Sequence, residues 1–387
     1  MARFLRSLFA TSFLIVFALT STHAADESID WDRAGRLHRR AQAGEKLNAD
    51  DQAYYDRARR ELAARNGRPP GGAGTPAAGR GQGAPAAVDL TRLIPLPELG
   101  ADEYRGETGG LYSGGKNTPP DAHRRLAEEA AREIRPRDAS GRPASDGKIA
   151  LVSLGMSNTT QEFSRFKELA DRDPRKSPFV TIVDGAQGGQ TGSAWAGRGD
   201  RARSRPWEEL DRRLERAGIA APQVQAFWIK QAEAGPASLG AFPAHARVLE
   251  ENLVTIIGEL HSRFPNLRLV FLSSRTYGGF ATTQLNPEPY AYESAFAVRH
   301  VIQRQTDGER ALNADPARGE VQAPLLLWGP YVWGAGPQKT STSGLITWTR
   351  EDFLEDGTHP SQTGRQKVGE ALVEFFVKSP HASWFIR

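Results

Sequence analysis

Cysteine is absent from the 387-residue chain. That excludes structural disulfides, thiol catalysis, thiolate zinc sites and lipid attachment through a cysteine. Histidine is scarce, at 8 residues, and no grouping of His, Asp and Glu has convincing metal-ligand spacing, so no metal or other cofactor is expected. Excess charge is also lacking. The net charge is +4, and Arg3 and Arg6 supply two of those charges, leaving +2. An excess that small does not suggest nucleic acid, and the Arg201 to Arg205 cluster reads as solvated loop rather than a phosphate track. The apolar run from Leu8 to Leu19 falls short of the roughly 20 residues a membrane span needs.

That run belongs to a targeting segment. Arg3 and Arg6 form a positive start, Leu8 to Leu19 the apolar core, and Thr22-His23-Ala24 an A-x-A-like end. Residues 1–24 are therefore expected to be a signal peptide. The mature chain would start at Ala25 or Asp26 and be secreted or periplasmic, with no stable membrane insertion. An uncleaved anchor is the alternative. Residues 25–65 form a helical accessory segment, with two short helices over 30–65. Leu37, Ala41, Leu47, Tyr54, Tyr55, Ala58 and Leu62 are the apolar positions, Gly44 divides the halves, and Asn48-Ala-Asp-Asp-Gln resembles a helix start. A hairpin without chemistry fits this segment better than an interaction module. Residues 66–87 are rich in Gly, Pro and Ala and read as a flexible linker.

Residues 88–387 form the main domain. Its first part, 88–147, is an extension expected to pack on the rest. It carries Leu90, Leu93, Ile94, Leu96 and Leu99, a turn-rich glycine stretch after Tyr104, and a helix over Pro119 to Ile134. From Lys148 the chain alternates regularly. Strands are expected at Ile149 to Leu154, Phe179 to Val183, Val224 to Ile229, Leu267 to Leu272 and Leu325 to Trp328. Helices are expected around Trp207, Leu210 and Leu214, then at Val248 to Phe264, Tyr290 to Gln303 and Gln362 to Val377. Apolar runs this short, alternating with amphipathic helices, predict an α/β fold: a three-layer αβα sandwich around a five-stranded parallel sheet.

Polar residues collect just past the carboxyl ends of these strands, where open α/β sheets bind ligands. They are Ser157, Gln187 to Gln190, Lys230, Gln231, Ser274, Arg275 and Tyr331. Ser157 stands where the first strand hands over to a helix, so it is either a nucleophile or only an N-cap. A nucleophilic serine needs a base, and the base needs an orienting carboxylate. Asp356 and His359 lie three residues apart on a Gly-containing turn, which lets the carboxylate hold one ring nitrogen while the other faces Ser157. The turn Gly188-Gly189 presents backbone N–H groups with no Cβ in the way, suited to a developing oxyanion. Arg275 reads as a substrate clamp or as a partner of Glu288 or Glu293. Tyr331 and its aromatic neighbours suit a sugar, or ordinary core.

Ser157 after the first strand, the glycine turn after the second and Asp356-Gly-Thr-His359 before the last helix together resemble the SGNH (GDSL-type) hydrolase superfamily over about residues 146–380. The resemblance implies an SGNH/flavodoxin-like sheet and a Ser157-His359-Asp356 triad. It implies Gly189, with Gly188 as the alternative, as an oxyanion donor. The third donor is normally an Asn in a Gly-x-Asn-Asp block. Here that place reads Trp228-Ile-Lys230-Gln231, so Gln231 or Lys230 takes it, or Gln231 only braces the loop. Certain carbohydrate O-acetylesterases similarly carry a Gln near this point. Two departures stand out: Met156 replaces the acidic residue of Gly-Asp-Ser, and Thr159 rules out a Gly-x-Ser-x-Gly elbow. The implied activity is a secreted serine esterase acting on an acyl ester of a small molecule or polysaccharide, closest in flavour to carbohydrate O-acyl esterases. A lipid-acyl hydrolase or thioesterase is the alternative among enzymes. A non-catalytic glycan-binding protein on the same fold is the alternative outside them.

Overall fold

The computed structural model describes residues 29–30, 33–34, 36–37, 40, 47–65, 89–197, 205–336 and 345–387. The expected signal peptide at 1–24 and linker at 66–87 lie outside these residues. The chain divides into two compact units, Met1–Gly83 and Ala84–Arg387. In the first, Ala49–Arg65 is a helix. Asn48 caps it as its sequence suggests, Oδ1 accepting the Asp51 N–H at 2.8 Å. No described helix is long and apolar enough to cross a membrane.

The second unit is built on five parallel strands: β1 (Ile149–Gly155), β2 (Val180–Val183), β3 (Val224–Lys230), β4 (Leu269–Ser273) and β5 (Leu325–Trp328). Every residue of β1 and of β3 is buried, as strands covered on both faces require. The strand order is β2-β1-β3-β4-β5, the flavodoxin-like order. The chain steps outward from β1 to β2, then returns to the other side of β1 to lay down β3. The switch point therefore falls between β1 and β3, and the crevice at their carboxyl ends is the ligand edge of such a sheet.

Among the described residues, six longer helices cover the faces: α1 (Asp121–Glu133), α2 (Ser157–Ala170), α3 (Arg205–Arg216), α4 (Ala244–Arg263), α5 (Tyr290–Thr306) and α6 (Gln362–Lys378). Adjacent residues of β3 show the layering, because successive side chains leave a strand on opposite faces. Trp228 stacks on Phe163 of α2, ring centroids 5.6 Å apart, while Phe227 meets Phe264 at the end of α4 at 5.3 Å. Truncating Phe163 to Ala would cost about 3–5 kcal/mol by the usual scale for a buried ring. On the first face, α2 packs on α6; on the other, α4 packs on α5.

The extension at 89–147 wraps the β5 edge. Trp328 Nε1 donates to Leu111 O at 2.5 Å, and the Trp328 N–H donates to Tyr112 Oη at 3.3 Å. Leu93, Leu96 and Leu99 join the main core. An edge strand covered in this way presents no open ladder to another chain.

Candidate active site

Ser157 is the first residue of α2. Met156 offers no side-chain cap there, and among the described residues the N–H groups of Ser157, Asn158 and Thr159 donate to no backbone carbonyl. Gly155 makes the close approach that sets this geometry. A Cβ on it would lie 2.3 Å from Lys230 O and 2.5 Å from Thr159 Oγ1, so only glycine fits between β1 and β3 here.

His359 and Asp356 come from the turn between β5 and α6. Ser157 Oγ lies 2.7 Å from His359 Nε2, and His359 Nδ1 lies 2.5 Å from Asp356 Oδ2. The other carboxylate oxygen, Oδ1, accepts the N–H groups of His359 at 2.9 Å and Thr358 at 3.0 Å. Partial burial opposes ionisation of Asp356, but the His359 ring and these two N–H groups outweigh it and hold the carboxyl at about 2. An ionised Asp356 only accepts. Nδ1 of a neutral imidazole must then carry the proton, which leaves the Nε2 lone pair facing the Ser157 hydroxyl.

The glycine turn sits beside the nucleophile. Gln190 N–H donates to Gln187 O at 3.2 Å and Gly189 has φ +78°, a type II turn with Gly188 and Gly189 at its centre. A Cβ built on Gly188 would lie 3.9 Å from Ser157 Cβ. Among the described residues, neither Gly188 nor Gly189 donates its N–H to a backbone carbonyl. Both residues are exposed, so their donors are open to a ligand.

Gln231 is buried under this turn. Its Nε2 donates to Gln190 O at 3.4 Å and its Oε1 accepts the Ala232 N–H at 3.3 Å.

Three residues expected to meet substrate do not reach the surface. Lys230 is 0% exposed and forms an ion pair with Glu162 of α2, itself fully enclosed. Burial pulls the Lys230 ammonium down to about 8, against the opposing pull of Glu162. Arg275 is 3% exposed. It pairs directly with neither Glu288 nor Glu293 but donates from Nε to Asn286 Oδ1 at 3.3 Å. Tyr331 is buried, its Oη accepting the Leu96 N–H at 3.1 Å. Lys230 is the last residue of β3, and Arg275 and Tyr331 lie just past strand ends, yet loops and helices close over all three.

Sequence reasoning missed two carboxylates beneath the site. Glu162 lies four residues before Phe166 on the buried stripe of α2, and that spacing is a usable signal. Glu233 holds Ser193 and Asn252, and no local spacing points to those partners.

No family model matches the sequence, and no curated protein matches it. Solved structures resemble it at low identity. The lipase Lip_vut3 from a goat rumen metagenome is 15% identical, covers 59% of this chain and 98% of its own, and has a TM-score of 0.34. A putative acylhydrolase from Bacteroides fragilis is 17% identical, covers 68% of this chain and 100% of its own, with a TM-score of 0.36. The salicylyl-acyltransferase SsfX3 from a tetracycline biosynthetic pathway is 16% identical over 62% of this chain and 58% of its own, also at 0.36. Scores this low carry no argument about activity, which has to come from the site.

Proposed function

We propose that this protein is an exported serine esterase that hydrolyses an O-acyl ester, with carbohydrate as the class of substrate. The observation that carries the reading is the relay of two short contacts, Ser157 Oγ to His359 Nε2 at 2.7 Å and His359 Nδ1 to Asp356 Oδ2 at 2.5 Å, at a helix N-terminus. A serine that was only an N-cap would have no use for an oriented base.

Ser157 Oγ attacks the ester carbonyl while His359 Nε2 takes its proton. Asp356 holds the ring and stabilises the imidazolium that forms. The carbonyl oxygen gains negative charge next to the Ser157 N–H and the Gly188-Gly189 turn, which are already in place when that charge appears. His359 returns the proton to the departing alkoxide. Water then repeats the sequence on the acyl-serine, with His359 as base and Ser157 as leaving group. The carbohydrate part is supported by the expected export signal; Tyr277, Tyr331 and Trp333, the aromatic residues past the strand ends, are buried and do not add to it.

The test is turnover of p-nitrophenyl acetate, acetylated sugars and acyl lipids by the purified chain, with labelling by a serine-directed phosphonate. The reading expects hydrolysis of at least one of these, and a phosphonate adduct on Ser157 that is absent from Ser157→Ala. A folded Ser157→Ala as active as the parent would defeat the mechanism. An inert parent would favour the glycan-binding alternative.

A further inference from the structure

The Gly188-Gly189 turn has no side chains of its own to fix it, so its position depends on its flanks. Two anchors tie those flanks to the nucleophile's strand. The Gln187 N–H donates to Gly155 O at 3.0 Å, and Trp195 Nε1 donates to the same carbonyl at 3.2 Å. The third anchor comes from the loop after β3. Glu233 Oε2 accepts the Ser193 N–H at 3.2 Å and the Ser193 hydroxyl at 2.7 Å. Its Oε1 accepts Asn252 Nδ2 of α4 at 2.8 Å, and that amide also donates to Ser193 Oγ at 3.0 Å. Beside them the Gly192 N–H donates to Ala232 O at 3.1 Å.

Glu233 is 6% exposed. A carboxylate taken so far from water is unfavourable unless donors surround it. Here the donors come from the segment carrying the glycine turn and from a helix of the rigid core. We infer that Glu233 is a positioning residue for the oxyanion donors. By gripping Ser193, four residues past Gly189, it holds the turn at the distance from Ser157 where its N–H groups meet a tetrahedral oxygen. The inference rests on the esterase reading and goes beyond it, since Glu233 itself touches no reacting atom.

The experiment compares the parent with Glu233→Gln, Glu233→Ala and Ser193→Ala. It reads kcat and KM on p-nitrophenyl acetate, the melting temperature, and the affinity of a boronic acid that forms a tetrahedral adduct with serine. Loosened donors should lower kcat about 10- to 10²-fold for the Glu233 variants. KM should stay within about twofold, because the donors act on the transition state rather than on bound substrate. Boronate affinity should fall by the same factor as kcat/KM. Ser193→Ala, which keeps its N–H, should shift all three the same way by less. A purely structural role would lower the melting temperature and leave kcat and boronate affinity of the folded protein unchanged. That result in Glu233→Gln and Ser193→Ala overturns the inference, even if Glu233→Ala fails to fold. A parent that neither turns over the ester nor binds the boronate overturns the esterase reading, and this inference with it.

Discussion

Removing Ser157 and removing His359 should cost the same, because neither works without the other. Ser157→Ala and His359→Ala are each expected to lower kcat on the order of 10³-fold or more, and the double variant to be little worse than either. Losses that multiply in the double variant would show two independent contributions and break the triad assignment. Asp356 can be tested without substrate. Its folded pKa, about 2, lies below the unfolded value of about 3.9. The stability it contributes is thus present above the unfolded value and is lost as pH falls through the folded one. Melting temperatures of the parent and Asp356→Asn should differ at neutral pH and converge between about pH 4 and pH 2. A gap that ignores pH would mean that Asp356 is not the charged partner of His359. Asp356 and His359 could be paired from sequence because their contact is local, three residues along one turn. The fates of Lys230, Arg275 and Tyr331 could not, because the groups that enclose them come from elsewhere in the chain: Glu162, Asn286 and Leu96.

Among the elements, α2 and β3 are joined by more than packing. The Glu162–Lys230 pair bridges them with both side chains fully enclosed. Breaking such a pair strands a charge, whereas replacing both partners removes the desolvation cost as well. Lys230→Met alone is expected to destabilise by about 3–5 kcal/mol, and Glu162→Leu with Lys230→Met to recover most of that loss. Urea unfolding of the two variants checks it. A double variant as unstable as the single would mean that the site needs the charges themselves. The strands were legible in sequence because burial on both faces writes them as unbroken apolar runs, and β5 matches its expected bounds. Their ends were less legible, since a hydrogen bond from a neighbour decides them. The fourth strand was expected from Leu267 but starts at Leu269. The Leu267 N–H closes the exit of α4 on Phe264 O, so that residue belongs to the turn. Helix α4 likewise starts at Ala244 rather than Val248. Its first turn, Ala244 to Arg247, is polar or small, and buries His245 and Ala246 without an apolar signature.

At the scale of the whole molecule, the division into two compact units falls in sequence between Gly83 and Ala84, inside the stretch that composition alone marks as a linker. Everything the proposed chemistry uses lies on one side of that boundary: Ser157, the glycine turn, Glu233, Asp356 and His359. The helix Ala49–Arg65 belongs to the other unit and supplies none of it. Proteolysis of the full chain follows the backbone's hydrogen bonding, since a protease must take a free strand into its cleft. A Gly/Pro/Ala-rich stretch buries no core to resist it. First cuts are expected within residues 66–87, and with trypsin at Arg80, giving a product that runs to Arg387. That product should unfold in one cooperative step and keep the full chain's kcat/KM on p-nitrophenyl acetate. First cuts inside 148–380 would place the weak point of the chain within the sheet domain. A clean product that has lost activity would show that the N-terminal unit takes part in the site, and the triad alone would no longer account for the function.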